Sequence, residues 1–127
     1  MTHNAITGAI VDTALHIHRR LGPGLLESVY RKVLAYELRK RAFHVLEEQP
    51  IPVVWDDVRL ELGFRADLIV NHMVVVETKS VEKVAPVHKK QLLTYLRILD
   101  MRVGLLINFN VELLKSGISR VVNNLPE

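Results

Sequence analysis

One stretch limits the fold of this chain more than any other: residues 65–79, Arg-Ala-Asp-Leu-Ile-Val-Asn-His-Met-Val-Val-Val-Glu-Thr-Lys. It reads as a strand, a tight turn and a second strand. Residues two apart in a strand point to one face, so Glu77 and Lys79 project together at the end of the apolar run 73–76. In the first arm the even positions Leu60, Leu62, Phe64, Ala66, Leu68 and Val70 are apolar, while Arg59, Glu61, Arg65 and Asp67 between them are polar. Facing residues of an antiparallel ladder share a face. A two-residue turn at Asn71-His72 would set Asp67 against Val76 and Ala66 against Glu77, which mixes the faces. A three-residue turn, Asn71-His72-Met73, sets Asp67 against Glu77, Arg65 against Lys79, Leu68 against Val76 and Val70 against Val74. A slip of one residue turns every side chain over, so the pattern predicts an odd-length turn with Asp67, Glu77 and Lys79 on one face. Two carboxylates beside an ammonium suit phosphoryl chemistry: the carboxylates hold a hard cation, and the lysine meets phosphate charge or orients a water. The plainer alternative is a cross-strand ion pair on a solvated sheet face, worth ~0.2–1 kcal/mol.

The residues before the hairpin read mostly as helix. Ile6, Ile10, Ala14, Ile17 and Leu21 fall at helical spacing, predicting a helix over residues 5–21 that ends at Gly22-Pro23-Gly24. His16 and His18 do not face each other on a helix, so they make no metal pair. A second helix is expected over residues 25–41, with Leu26, Val29, Val33, Leu34 and Leu38 as its apolar face. Glu27 lies in its first turn, where the helix dipole alone favours a carboxylate. Gly24 and Tyr30 stand three residues to either side, a spacing that would let another segment approach Glu27 closely. Arg39-Lys40-Arg41 reads as favourable charge at a helix C-terminus rather than a phosphate-contacting rim. Residues 43–55 form an expected first strand, edge-like or irregular because Pro50 and Pro52 cannot donate ladder hydrogen bonds. Asp56-Asp57 makes a turn, and residues 58–70 and 73–80 are the second and third strands.

After the hairpin, Pro86 opens a helix over residues 86–100 whose buried side is Leu92, Leu93, Leu96 and Leu99. His88, Gln91 and Tyr95 recur at three and four, so they share one stripe. Such a stripe is ordinarily the solvated edge of a helix; because this one follows directly after the Glu77/Lys79 strand, it can pack over that strand's end and bring Gln91 and Tyr95 to the same cleft. Lys89 and Lys90 oppose the dipole near its start, a choice consistent with binding an anion. Residues 103–109 read as a central strand covered on both faces, with Asn108 and Asn110 at its exit. A helical turn at 111–116, a last strand at 118–122 and a frayed tail at 123–127 complete the chain.

With 127 residues, the expectation is a single domain over 1–127 with one full core. A net charge of +3 is compatible with a polyanionic partner without requiring one. There is no cysteine, so disulfides and thiolate zinc sites are excluded. No apolar run reaches the ~18 residues of a membrane span, and residues 1–8 lack the pattern of a signal peptide. A cytoplasmic location without membrane contact is the expectation.

The carboxylates and the lysine thus sit at a helix start, a second strand and a third strand, ahead of a helix and a central strand. In that order the chain resembles the PD-(D/E)xK nuclease superfamily, and within it the GxxExxY family. The motif stands as Gly24-Leu-Leu-Glu27-Ser-Val-Tyr30, followed by Arg65-Ala-Asp67-Leu, Val76-Glu77-Thr78-Lys79, Gln91-Leu-Leu-Thr-Tyr95-Leu96 and Gly104-Leu-Leu-Ile-Asn108-Phe109. The likeness covers residues 5–122. The segment after Trp55 has Asp56-Asp57 in place of a tyrosine-glycine turn, and Asn110 stands where a glycine often follows the phenylalanine.

The resemblance implies an α/β fold of the α+β kind. Its restriction-endonuclease-like core is a mixed four- to five-stranded sheet flanked by helices, in the order α-α-β-β-β-α-β. It also implies a nuclease that uses Mg²⁺ or Mn²⁺. Asp67 and Glu77 would be metal ligands, with the Thr78 backbone carbonyl as a third and Glu27 reaching the metal directly or through water. Lys79 would orient the attacking water or stabilise the pentavalent phosphorus, and Gln91 and Tyr95 match the motif on the helix beside the active site. The implied partner is nucleic acid, DNA ahead of RNA, with specificity from a homodimer, a partner or nucleic-acid structure. The competing function is a non-catalytic nucleic-acid- or protein-binding module built on the nuclease fold.

Overall fold

A computed structural model describes residues 1–125. Helix α1 spans His3–Leu21, with the Thr2 hydroxyl accepting the Ala5 amide at 3.1 Å as its cap. Helix α2 spans Glu27–Lys40. Five strands follow: β1 Val45–Pro50, β2 Val53–Trp55, β3 Val58–Leu60, β4 Arg65–Val70 and β5 Val74–Lys79. Helix α3, Pro86–Leu99, then leads to β6 Val103–Asn108, a 3₁₀ turn Leu114–Gly117 and β7 Ile118–Val122. The main sheet runs β1-β4-β5-β6-β7. Among the described residues only β5 and β6 pair in parallel, and α3 makes the crossover between them.

The sheet packs on both faces, with alternation along the strands broken at Ala66. Leu68, Val70, Val74, Val76, Val103, Leu105 and Ile107 meet Ile6, Ile10, Ala14 and Ile17 of α1 and Tyr30, Leu34, Ala35 and Leu38 of α2. Ala66, Ile69, Val75 and Leu106 meet Leu92, Tyr95 and Leu96 of α3. Strand β6 is buried at every position, as its unbroken apolar run requires of a central strand. Gly104 lies directly beneath Leu92, where an added Cβ would come within 2.9 Å of a methyl group. The missing side chain thus lets α3 sit close on the sheet. No described helix is long and apolar enough to cross a membrane.

Four expectations need correction. The strand expected over 43–55 breaks into β1 and β2 at Ile51-Pro52, where Ile51 turns inward and donates its amide to the Phe64 carbonyl at 2.8 Å. The strand expected over 58–70 breaks into β3 and β4 around Gly63, whose φ of +80° departs from extended backbone. Strands β2 and β3 therefore form a separate ribbon joined by Asp56-Asp57, both left-handed at φ 47° and 65°. Leu60 in that ribbon, and Leu62 and Phe64 between β3 and β4, are exposed rather than turned to the core. On α2, Leu26 and Val29 are exposed, and Tyr30 and Ala35 take their place in the buried face. In the tail, Asn123 is docked: its amide donates to the Arg102 carbonyl and its side chain to the Met101 carbonyl, at 2.8 and 3.0 Å. Residues 126–127 of that tail lie outside the described residues.

Candidate active site

The β4–β5 hairpin has the predicted odd-length turn at residues 71–73, with Asn71 and His72 left-handed at φ 50° and 57°. Its ladder pairs Val70 with Val74, Ile69 with Val75 and Leu68 with Val76, the predicted register. The ladder stops there. The predicted pairs Asp67–Glu77 and Arg65–Lys79 do not form, because carboxylates replace backbone carbonyls as acceptors. Glu77 Oε1 accepts the Asp67 amide at 3.1 Å. Asp67 Oδ2 accepts the Thr78 amide at 2.8 Å and the Thr78 hydroxyl at 3.1 Å. Continued register would have given that Thr78 amide to Ala66. The strands open, and the two acidic side chains fill the gap.

The Thr78 carbonyl belongs to the same opening. The amide and carbonyl of one strand residue point to one side, and the next residue points to the other. The Lys79 carbonyl accepts the Phe109 amide at 2.9 Å, facing β6. Thr78 therefore turns its carbonyl, like its amide, toward Asp67.

Burial first, and then the Asp67 charge, push the Glu77 carboxyl up to about 8, with Lys79 and the Asp67 backbone amide opposing. Tyr95, on α3 beside this carboxyl, holds its proton more tightly than an ordinary tyrosine. Burial is the larger cause, the charges of Glu77 and Asp67 add to it, and Gln91 acts against them. Gln91 itself is exposed and Tyr95 buried, so the predicted stripe leads from solvent to the carboxylates. His88, on the same stripe, accepts the Ala85 amide at Nδ1, 3.1 Å away.

Glu27 opens α2. Its carboxyl is also raised, by burial first, against the lowering effect of Lys79; Asp67 raises it further, and Arg31 and His88 lower it. Glu27 thus stands in the fields of Lys79 and Asp67. Among the described residues, however, no three His, Asp or Glu side chains converge closely enough to hold an ion between them.

The spacing Gly24–Glu27–Tyr30 works as a clamp. Tyr30 is wholly buried, so it does not leave Glu27 open to approach as its spacing suggested. Its hydroxyl donates to the Gly22 carbonyl at 2.6 Å and accepts the Leu25 amide at 3.2 Å. Its ring stacks on Phe109 at 4.4 Å and 5°. Gly24, at φ +100°, supplies the bend. Ser80 Oγ, just beyond β5, donates to the Leu25 carbonyl at 2.6 Å and ties the loop to the strand that carries Lys79. Replacing Tyr30 with Phe should lower stability by about 1–3 kcal/mol in urea unfolding, because Gly22 and Leu25 lose their partner while the ring stack remains. An unchanged midpoint would show that the hydroxyl holds nothing.

Other charged candidates lie elsewhere. Arg39 binds Glu47 and the Val45 carbonyl at 2.8 and 2.7 Å, and Arg41 binds Thr13 at 2.8 Å, so the basic run ties helix ends to their neighbours. His18 is buried, with Nε2 donating to the Val111 carbonyl at 2.7 Å. Asp56 and Asp57 are the ribbon's turn. Sequence reasoning passed over Ser80, which carries no pattern of its own, and Arg31, which lies one helical turn after Glu27 and was visible at that spacing.

No curated protein and no solved structure matches the chain. A family model described as the PD-(D/E)XK nuclease superfamily matches residues 4–121. That match spans the helix start, the opened hairpin and the crossover helix in a single alignment, and by it the chain belongs to the PD-(D/E)XK nuclease superfamily.

Proposed function

We propose that this protein is a nuclease of the GxxExxY kind, hydrolysing phosphodiester bonds of nucleic acid, DNA in preference to RNA, with the help of Mg²⁺ or Mn²⁺. The observation that carries the proposal is the opened ladder at Asp67, where two carboxylates and the Thr78 carbonyl face one gap beside Lys79. The donor set fits such an ion. It is made of oxygens and it is small, which suits Mg²⁺, an ion that keeps several of its waters. Burial first, and the Asp67 charge second, raise the Glu77 carboxyl, and a cation bound beside it opposes both. Asp67, Glu77 and the Thr78 carbonyl would hold the ion, with Glu27 reaching it through water. When bound, the ion supplies positive charge at the phosphate.

The chain's own residues do the rest. Lys79 orients the attacking water and offsets the charge that grows on the phosphate oxygens. Tyr95 and Gln91 wall the cleft on the α3 side and position the backbone of the substrate. Glu27, on the helix that the Tyr30 clamp anchors, accepts a hydrogen bond from the water. One observation favours a second reading, a non-catalytic binding module: the three carboxylates do not converge into one group. Calorimetry with Mn²⁺ separates the two. The nuclease binds Mn²⁺, and Asp67→Asn weakens that binding ~10-fold or more. Absence of any Mn²⁺ binding would favour the module.

A further inference from the structure

Arg31 is largely buried, with 14% of its side chain exposed, and its Nε has no hydrogen-bond partner among the described residues. A buried polar atom left without a partner carries its full desolvation cost, which is larger for a charged group. The rest of the guanidinium does not compensate. Nη2 lies 3.5 Å from Glu48 Oε1, an ion pair without the close contact of a hydrogen bond. Nε and Nη2 form one edge of the guanidinium, the edge that grips two oxygens of a carboxylate or phosphate side by side. In Arg31 that edge is half-approached by one carboxylate and filled by none.

The surroundings place Arg31 beside the candidate site. Arg31 lies one helical turn after Glu27, on the same face of α2. Glu48 lies between Glu47 and Gln49, which pair with Leu68 and Ala66 on either side of Asp67. Glu48 holds a left-handed backbone at φ 50° within a strand, and its side chain is 56% exposed. A strained residue beside a candidate site is a feature that surrounding structure must hold in place.

The geometry points to Arg31 as a phosphate-binding residue: its Nε–Nη2 edge takes a non-bridging pair of oxygens of the nucleic-acid backbone, and Glu48 is the stand-in that the phosphate displaces. This rests on the nuclease reading, and deepens it by assigning a backbone subsite on the α2 side of the cleft. No bond is made or broken at Arg31; its part is binding and placement.

The test is binding of a fluorescent DNA oligonucleotide in EDTA across a salt series, alongside urea unfolding, for wild type, Arg31→Lys, Arg31→Met and Glu48→Gln. Arg31→Lys keeps the charge but loses the fork, and weakens binding about 10-fold. Arg31→Met weakens it further and lowers the salt slope by about one counterion. Its urea midpoint stays level or rises, because an unsatisfied buried charge has gone. Glu48→Gln, at an exposed position, tightens binding several-fold by removing the competitor. The assignment is overturned if Arg31→Met unfolds the protein while Glu48→Gln leaves affinity unchanged, or if all variants bind like wild type. Wild-type protein that binds no DNA or RNA overturns the nuclease reading and this assignment together; binding that ignores Arg31 and Glu48 overturns the assignment alone.

Discussion

Replacing Lys79 with Ala should lower the rate of phosphodiester cleavage by roughly 10²–10³-fold or more while leaving the fold intact. The size follows from the role. A charge placed where negative charge develops in the transition state contributes more than one that is merely near the substrate. The selectivity follows from the structure. The Lys79 side chain is in no ion pair among the described residues, and its backbone stays fixed by the parallel pairing with Asn108 and by the Phe109 amide. Single-turnover cleavage with saturating protein, beside a urea unfolding curve, checks both halves. A variant that cleaves at the wild-type rate would remove Lys79 from the chemistry. Asp67→Ala is a less clean comparison, because it also strips the Thr78 amide and hydroxyl of their acceptor.

The second large effect concerns Glu77 in metal-free protein. Its folded carboxyl sits at about 8, well above the 4.5 of an ordinary glutamate. Between those values the folded state keeps a proton that the unfolded chain has lost. The contribution of Glu77 to stability is therefore fully present below about 4.5 and is lost as pH rises through about 8. The slope is at most about 1.4 kcal/mol per pH unit, and the whole effect is on the order of a few kcal/mol. Glu77→Gln cannot ionise, and its side-chain oxygen can still accept the Asp67 amide. In EDTA the variant should match wild type near pH 5 and exceed it at pH 8.5. Added Mn²⁺ should raise the wild-type midpoint at pH 8.5 and leave that of the variant nearly unmoved, since an ion stabilises only the state that binds it. Parallel stability profiles for the two proteins would show that Glu77 is not strained by burial.

Much of this was legible in the sequence, for reasons that differ from element to element. The register of β4 on β5 follows from period-two alternation, since only the odd-length turn kept Leu68 with Val76 and Val70 with Val74. The central place of β6 follows from its uninterrupted apolar run. Helix α3 was bounded by Pro86 at its first position and ended at Asp100, which is left-handed at φ 53°. The opening at Asp67 was not legible, because alternation describes which face a side chain takes and says nothing of a carboxylate that displaces a backbone carbonyl. The irregular, edge-like character of residues 43–55 was legible in Pro50 and Pro52, while the break at Gly63 was signalled by that residue but outweighed by the apolar alternation through Leu60, Leu62 and Phe64. In the structure Leu60 ends an exposed ribbon, and Leu62 and Phe64 lie exposed between it and β4. Tyr30 was noticed for its spacing from Glu27, and its true part, clamping the Gly22–Leu25 bend, needed the long-range contact with Phe109. Arg31 offered only a charge on a helix; its unpaired Nε is a property of packing.

The most direct measurement is cleavage of single-stranded, double-stranded and branched DNA and of RNA, each with Mg²⁺, Mn²⁺ or EDTA, by wild type and Lys79→Ala. A metal-dependent nuclease built on the Asp67–Glu77 opening cuts at least one of these substrates with Mg²⁺ or Mn²⁺, stops in EDTA, and loses the activity with Lys79. Intact substrates throughout, from protein that binds both Mn²⁺ and nucleic acid, would contradict the enzyme and leave a nuclease fold used for binding.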